Sequence, residues 1–154
     1  MSDTLGPEFI QVAIDGLLGL LKEHTAELLA EMDTPRVPIT HFGYAFRGQA
    51  MNAPELWVEP VSTVFDDEGT ATHGISQLRI TLGIVAGDPE ACTLAALDYV
   101  RAASLAISQN EFAELGDAIQ RVFVREHNYG ALRAGGKGFA VFPEIYVLVE
   151  MEEV

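Results

Sequence analysis

Gln77-Leu78-Arg79-Ile80-Thr81-Leu82-Gly83-Ile84-Val85 decides the fold class. Leu78, Ile80, Leu82 and Ile84 alternate with Gln77, Arg79, Thr81 and Gly83, and a period of two sends the aliphatic set to one side of a strand and the rest to the other. Such a strand needs neighbours and a layer to cover its aliphatic side. Upstream, Leu56 to Phe65 is rich in β-branched and aromatic residues, with Pro60 predicting an edge strand or a bulge. Asp66-Asp67-Glu68-Gly69 reads as the turn between the two strands.

Downstream, Asp88-Pro89-Glu90 predicts a helix start: Asp88 caps free N–H groups, Pro89 suits the first helical position and Glu90 favours the helix dipole. The helix is expected to run to about Gln109, with Leu94, Leu97, Val100, Ala103, Ser104 and Ile107 on the face that meets the sheet. Asn110 is the expected stop. Two more strands follow, Ala118 to His127 and Phe139 to Met151, joined by the Gly-rich connector Asn128 to Gly138. In the last strand Val141, Ile145, Val147 and Val149 oppose Phe142, Tyr146 and Leu148. Both of its faces are apolar, which predicts helices on one side and a further partner, such as another subunit, on the other. Pro143 predicts a bulge or an edge.

At the other end, Ile10, Ile14, Leu17, Leu21, Leu28 and Met32 recur at helical spacings and predict a helix from Glu8 to Met32, with Pro7 in its first turn. Gly16 and Gly19 weaken it intrinsically and suggest close approach of a neighbouring element. Asp33 to Glu55 carries Pro35, Pro38 and Pro54 with Phe42, Tyr44 and Phe46 at alternate positions, and reads as a long connector or contact arm, or as a covered irregular loop with one short strand at Phe42 to Phe46. The expected fold is therefore α+β: a single domain over residues 1–154, a two-layer αββαββ sandwich with a mostly antiparallel four-stranded sheet against two helices.

The 154 residues hold 9 Lys and Arg against 23 Asp and Glu, a formal charge of −14, with 49% hydrophobic residues. A chain this long buries a core without staples, and the single Cys92 excludes an internal disulfide or a Cys-based zinc site. The acid excess disfavours a partner bound through phosphate neutralisation. No run of eighteen uncharged apolar residues occurs, and Met1-Ser2-Asp3-Thr4 lacks the positive charge of a secretory signal, so a cytoplasmic chain without a membrane partner is expected.

Chemical motifs are weak. His24, His41, His73 and His127 fall in different elements, none at the i, i+4 spacing that places two imidazoles on one metal. No G-x-S-x-G elbow is present, and Cys92 near a helix start reads as a small buried residue more readily than as a nucleophile. Asp66-Asp67-Glu68 lacks the spacing of a calcium loop. Gly135-Gly136-Lys137-Gly138 is too short for a P-loop and precedes a strand, unlike the helix-joining GxxG of KH domains. No catalytic residue, metal or cofactor is expected. Charge is lopsided instead: residues 118–138 hold Arg121, Arg125, Arg133 and Lys137 against Glu126 alone, on an otherwise acidic body.

The order of elements resembles the tail-terminator (tail-completion) proteins of long-tailed bacteriophages. The likeness covers the N-terminal helix, Trp57-Val58-Glu59-Pro60 entering the sheet, the strand Gln77 to Val85 and the Asp88-Pro89-Glu90 helix. It continues through Val122 to Tyr129 and the Gly-rich loop into Glu144-Ile145-Tyr146-Val147-Leu148-Val149-Glu150-Met151. The resemblance implies a structural virion part, usually a hexameric ring, that stops tail-tube growth and presents a docking face to the head-completion or neck protein. It implies no catalysis and no cofactor.

A closed ring needs a heterologous interface, so Arg121, Arg125, Arg133 and Lys137 of one copy are expected to face an acidic edge, Glu150, Glu152 and Glu153, of the next. An acidic channel would let DNA slide through without specific binding. Related neck and minor tail proteins share the pattern. A reading from another class is a small α+β ligand-binding domain or enzyme with a pocket around Trp57, Tyr99 and His127.

Overall fold

The computed structural model describes residues 7–46, 53–65, 73–112, 115, 119–136 and 138–152. Within them the chain is α+β, with two helices and a mixed sheet of seven strands. The expected turn at Asp66 to Gly69 lies outside the described residues.

Helix α1 spans Pro7–Ala30. Ile14, Leu17 and Leu21 are buried as their spacing predicts, while Leu20 and Leu29 join them from flanking positions. Gly16 has the close neighbour that its composition suggested. A Cβ there would lie 2.6 Å from the Leu115 carbonyl oxygen, so the Leu115 backbone lies directly on the helix. Gly19 has open space around it.

The connector makes strand β1, His41–Gly43, which pairs in parallel with the start of β2, Glu55–Phe65. Tyr44 donates its hydroxyl to Asp15 on α1, and Thr40 N–H bonds to Pro54 O at 2.9 Å. The arm is therefore held to both the helix and the sheet at several points. Strand β2 pairs antiparallel with β3, His73–Ala86, and a register shift between Pro60 and Ser62 marks the bulge expected at the proline.

Helix α2, Pro89–Ser108, starts as predicted, with the Asp88 carboxylate accepting from Ala91 N–H at 2.8 Å. Of its expected inward face Val100, Ala103 and Ile107 are buried, but the buried face is rotated from the expected one. Cys92, Ala95, Ala96, Tyr99, Ala102 and Ala106 are buried, whereas Leu94 and Leu97 are 51% and 45% exposed. Small side chains let the helix sit close to α1 and the sheet, and that closeness turns the two leucines outward. By length and composition α2 could cross a membrane, but half of the apolar window is buried inside the fold, as in a core helix.

Strands β4 (Ile119–Asn128), β5 (Arg133–Gly135), β6 (Gly138–Val141) and β7 (Glu144–Glu152) complete the sheet. Sheet order is β1-β2-β3-β7-β4, with β6 replacing β7 beside the end of β3 and β5 pairing β6. The expectation of four strands is corrected to seven. Three differences account for the change: β1 forms within the Asp33 to Glu55 connector, β5 forms within the expected connector Asn128 to Gly138, and Phe142-Pro143 interrupt the last expected strand. Proline has no N–H for the ladder, yet its carbonyl still accepts from Leu82 N–H at 3.0 Å, so the two halves remain aligned on β3. Gly138 is required beside that end, because a Cβ would meet the Ala86 carbonyl oxygen at 2.5 Å.

Leu56, Val58, Leu78, Ile80, Leu82, Ile145, Val147 and Val149 join both helices in one core. At about 25 cal/mol per Å² of apolar area, burial of this kind supplies the main stabilising term.

Candidate functional site

The face of the sheet away from this core carries mixed chemistry arranged in rows fixed by the strand register. One row is Glu59, Arg79, Tyr146 and Glu126; the next is Trp57, Thr81, Glu144 and Asn128. Arg79 Nη2 donates to Glu59 Oε1 at 3.3 Å, and its Nε lies 3.6 Å from Glu144 Oε2. Burial works against the Arg79 charge, and the bond to Glu59 with its charge, aided by Tyr146 and Glu144, outweighs it, so this guanidinium is held ionised more firmly than usual. Thr81 Oγ1 and Arg79 Nε are buried without a hydrogen-bond partner among the described residues.

At the Trp57 end the connector covers this face. Phe46 places its ring 5.0 Å from Trp57 and 4.8 Å from Phe142, and the Arg133 guanidinium lies over the Phe142 ring at 5.2 Å. Trp57 is consequently buried. The expected second cover of the last strand is thus supplied in part by the chain's own arm. Beyond it, the face of β7 alternates Tyr146 and Leu148 with Glu144, Glu150 and Glu152, all placed on one side by the period of two.

Of the expected interface residues, one basic and one acidic residue meet within one chain. Arg121 and Glu150 are register partners; Arg121 Nη1 is 3.8 Å from Glu150 Oε1, its Nε donates to Glu111 Oε1 at 3.1 Å, and its guanidinium lies 4.4 Å over the Phe123 ring. Arg125 donates to Gln77 Oε1 at 3.2 Å. Glu152 is exposed opposite His73. Lys137 and Glu153 lie outside the described residues.

Between α2 and β4 runs an open groove of about 360 Å³ lined by Leu97, Val100, Leu105, Val124 and Arg101. On its floor Ser104 Oγ is 2.8 Å from His127 Nε2, and His127 Nδ1 is 3.2 Å from Tyr129 Oη. A serine beside an imidazole oriented by a third group is the geometry of an activated nucleophile. Ser104 is inside α2, however, so its own amide is committed to the helix ladder and does not supply an oxyanion donor. The sequence reading placed Ser104 toward the sheet and His127 in a pocket, but the pairing depended on the rotation of α2. Tyr99 stands elsewhere, donating to Val37 O at 2.6 Å, and Trp57 is on the opposite face of the sheet.

Cys92 is fully buried, and desolvation pushes its thiol pKa up, opposite to the shift a nucleophile needs. Among the described residues no three His, Cys, Asp or Glu side chains group as a metal site. No protein-family model and no curated protein matches the chain.

Proposed function

We propose that this protein is a ring-forming structural component of a long-tailed bacteriophage virion, the tail terminator, assembled in the host cytoplasm. The observation that carries the reading is an open, apolar sheet edge. Strand β1 covers β2 only at Glu55 to Trp57; beyond it, the described part of β2 has no strand on that side and exposes Val61, Val64 and Phe65. An exposed edge of this composition is a template for association, and natural proteins cover it. A second copy of the chain is the cover proposed here.

On this reading the seven strands are an αββαββ plan: β2-β3 form the first hairpin, interrupted β4-β5 and β6-β7 form the second, and β1 belongs to the arm. The ring, most simply a hexamer, caps the tail tube and offers its other face to the head-completion or neck protein. DNA passes through it without specific binding, consistent with a chain of net charge −14. The resemblance in element order supports the same conclusion. Mixing the protein with growing tail tubes tests it: capped tubes of fixed length are expected, and unrestricted tube growth would contradict the role. Co-polymerisation into tubes would assign it to another neck or minor tail position.

A second reading rests on the Ser104–His127–Tyr129 chain in its apolar groove, which suits a small ester or acyl ligand. Labelling by a fluorophosphonate that disappears in Ser104→Ala would favour this reading, whereas equal labelling of wild type and Ser104→Ala would contradict it.

A further inference from the structure

The two edges of the sheet carry complementary features. At one edge the hairpin β2-β3 exposes Val61, Val64 and Phe65, with Ile75 beside them on β3; Val64 is 68% exposed. At the opposite edge, α2 and β4 enclose the groove that Leu97, Val100, Leu105 and Val124 line. Leu94 extends its apolar wall by one turn, because residues three apart share a helix face. Each surface alone would be an unexplained apolar patch. Together they are a knob and a hole on opposite sides of one subunit.

We propose that the β2-β3 hairpin of one copy docks into the α2/β4 groove of the next, a deepening that rests on the self-assembly reading above. Charge favours this occupant. Phe65 runs in sequence directly into Asp66-Asp67-Glu68, and Arg101 lines the groove, whereas Arg125 of β4 is turned to Gln77 on the other face of the sheet. The acids that follow Phe65 in sequence complement the single cation of the apolar hole, which orients the contact as well as strengthening it. Because the two surfaces differ and lie on opposite edges, the contact is head-to-tail, and repetition closes a ring or continues as a filament. Arg121 is not its acceptor, being occupied by Glu111 and Glu150 of its own chain.

Chains with one introduced cysteine test the contact, since native Cys92 is buried and leaves only the introduced thiol accessible. Val64→Cys mixed with Leu97→Cys under mild oxidation is expected to give a cross-linked pair, and the double variant a ladder ending at the ring number. Each single variant alone is expected to stay uncrosslinked. Leu97→Asp and Val64→Asp, both at exposed positions, are expected to weaken association by about tenfold or more while leaving circular dichroism unchanged. An assembled wild type without the mixed cross-link overturns the hairpin-in-groove contact and leaves self-assembly standing. Cross-linking of Val64→Cys to itself alone overturns the head-to-tail arrangement in favour of a two-fold one. A monomeric wild type with no cross-link contradicts both.

Discussion

Arg121 lies opposite Glu150 of its own chain, across the β4-β7 ladder, with Glu111 on its Nε and the Phe123 ring beneath it. Of the two arginines of β4, Arg121 is therefore neutralised within its own chain, while Arg125 bonds to the uncharged Gln77. Arg121→Ala is expected to lower folding stability by about 1 kcal/mol, because the pairs are partly exposed and screened. Denaturant melts of Arg121→Ala, Glu150→Ala and the double variant check this: the double variant should cost less than the two singles together, and strict additivity would contradict the coupling.

Gly16 and Gly19 share α1 but not a role. Gly16→Ala puts a methyl against the Leu115 backbone, and overpacking of this kind costs about 1–3 kcal/mol. Gly19→Ala meets nothing within 4 Å and should stabilise the helix by roughly 0.5–1 kcal/mol. Thermal melts of the two variants should move in opposite directions.

Phe46 seals Trp57, the only tryptophan of the chain. Phe46→Ala removes two ring contacts and is expected to cost about 2 kcal/mol and expose the indole. Trp57 fluorescence should shift to longer wavelength in the folded variant. An unchanged emission maximum would mean that other groups cover the indole.

Tyr99 ties the connector to α2 through Val37 O, and burial raises its phenol pKa above the usual 10.0. The folded state holds this proton more tightly than the unfolded chain, so the contribution is fully present below pH 10 and is lost as pH rises through the folded pKa. Tyr99→Phe is expected to cost about 1 kcal/mol at neutral pH and to flatten the fall in stability above pH 10. Tyr44, bonded to Asp15, titrates in the same direction, so the comparison is of Tyr99→Phe with wild type across that range.

The strand around Ile80, the start of α2 at Asp88 and the interruption at Pro143 were legible because local chemistry decides each of them. The inward face of α2 was legible only at Val100, Ala103 and Ile107: hydrophobic spacing favours leucine, but close packing selected Ala95, Ala102 and Ala106 and left Leu94 and Leu97 outside. The Arg121–Glu150 pairing was equally hidden. It follows from register shifts between Ile119 and Arg121 and between Val124 and Glu126, which no alternation pattern specifies. The aromatic triplet of the connector did carry a signal, since alternate Phe42, Tyr44 and Phe46 suggested an arm with contacts. Its targets, Asp15 on α1 for Tyr44 and the Trp57 face for Phe46, needed the fold.

Self-association is the claim on which the functional account stands, and the mass of the purified protein by light scattering behind size-exclusion chromatography tests it most directly. The account predicts a discrete multiple of the 16.7 kDa chain, about sixfold, with ring-shaped particles in negative stain and looser assembly at high salt. A single-chain mass at every concentration and salt would contradict it.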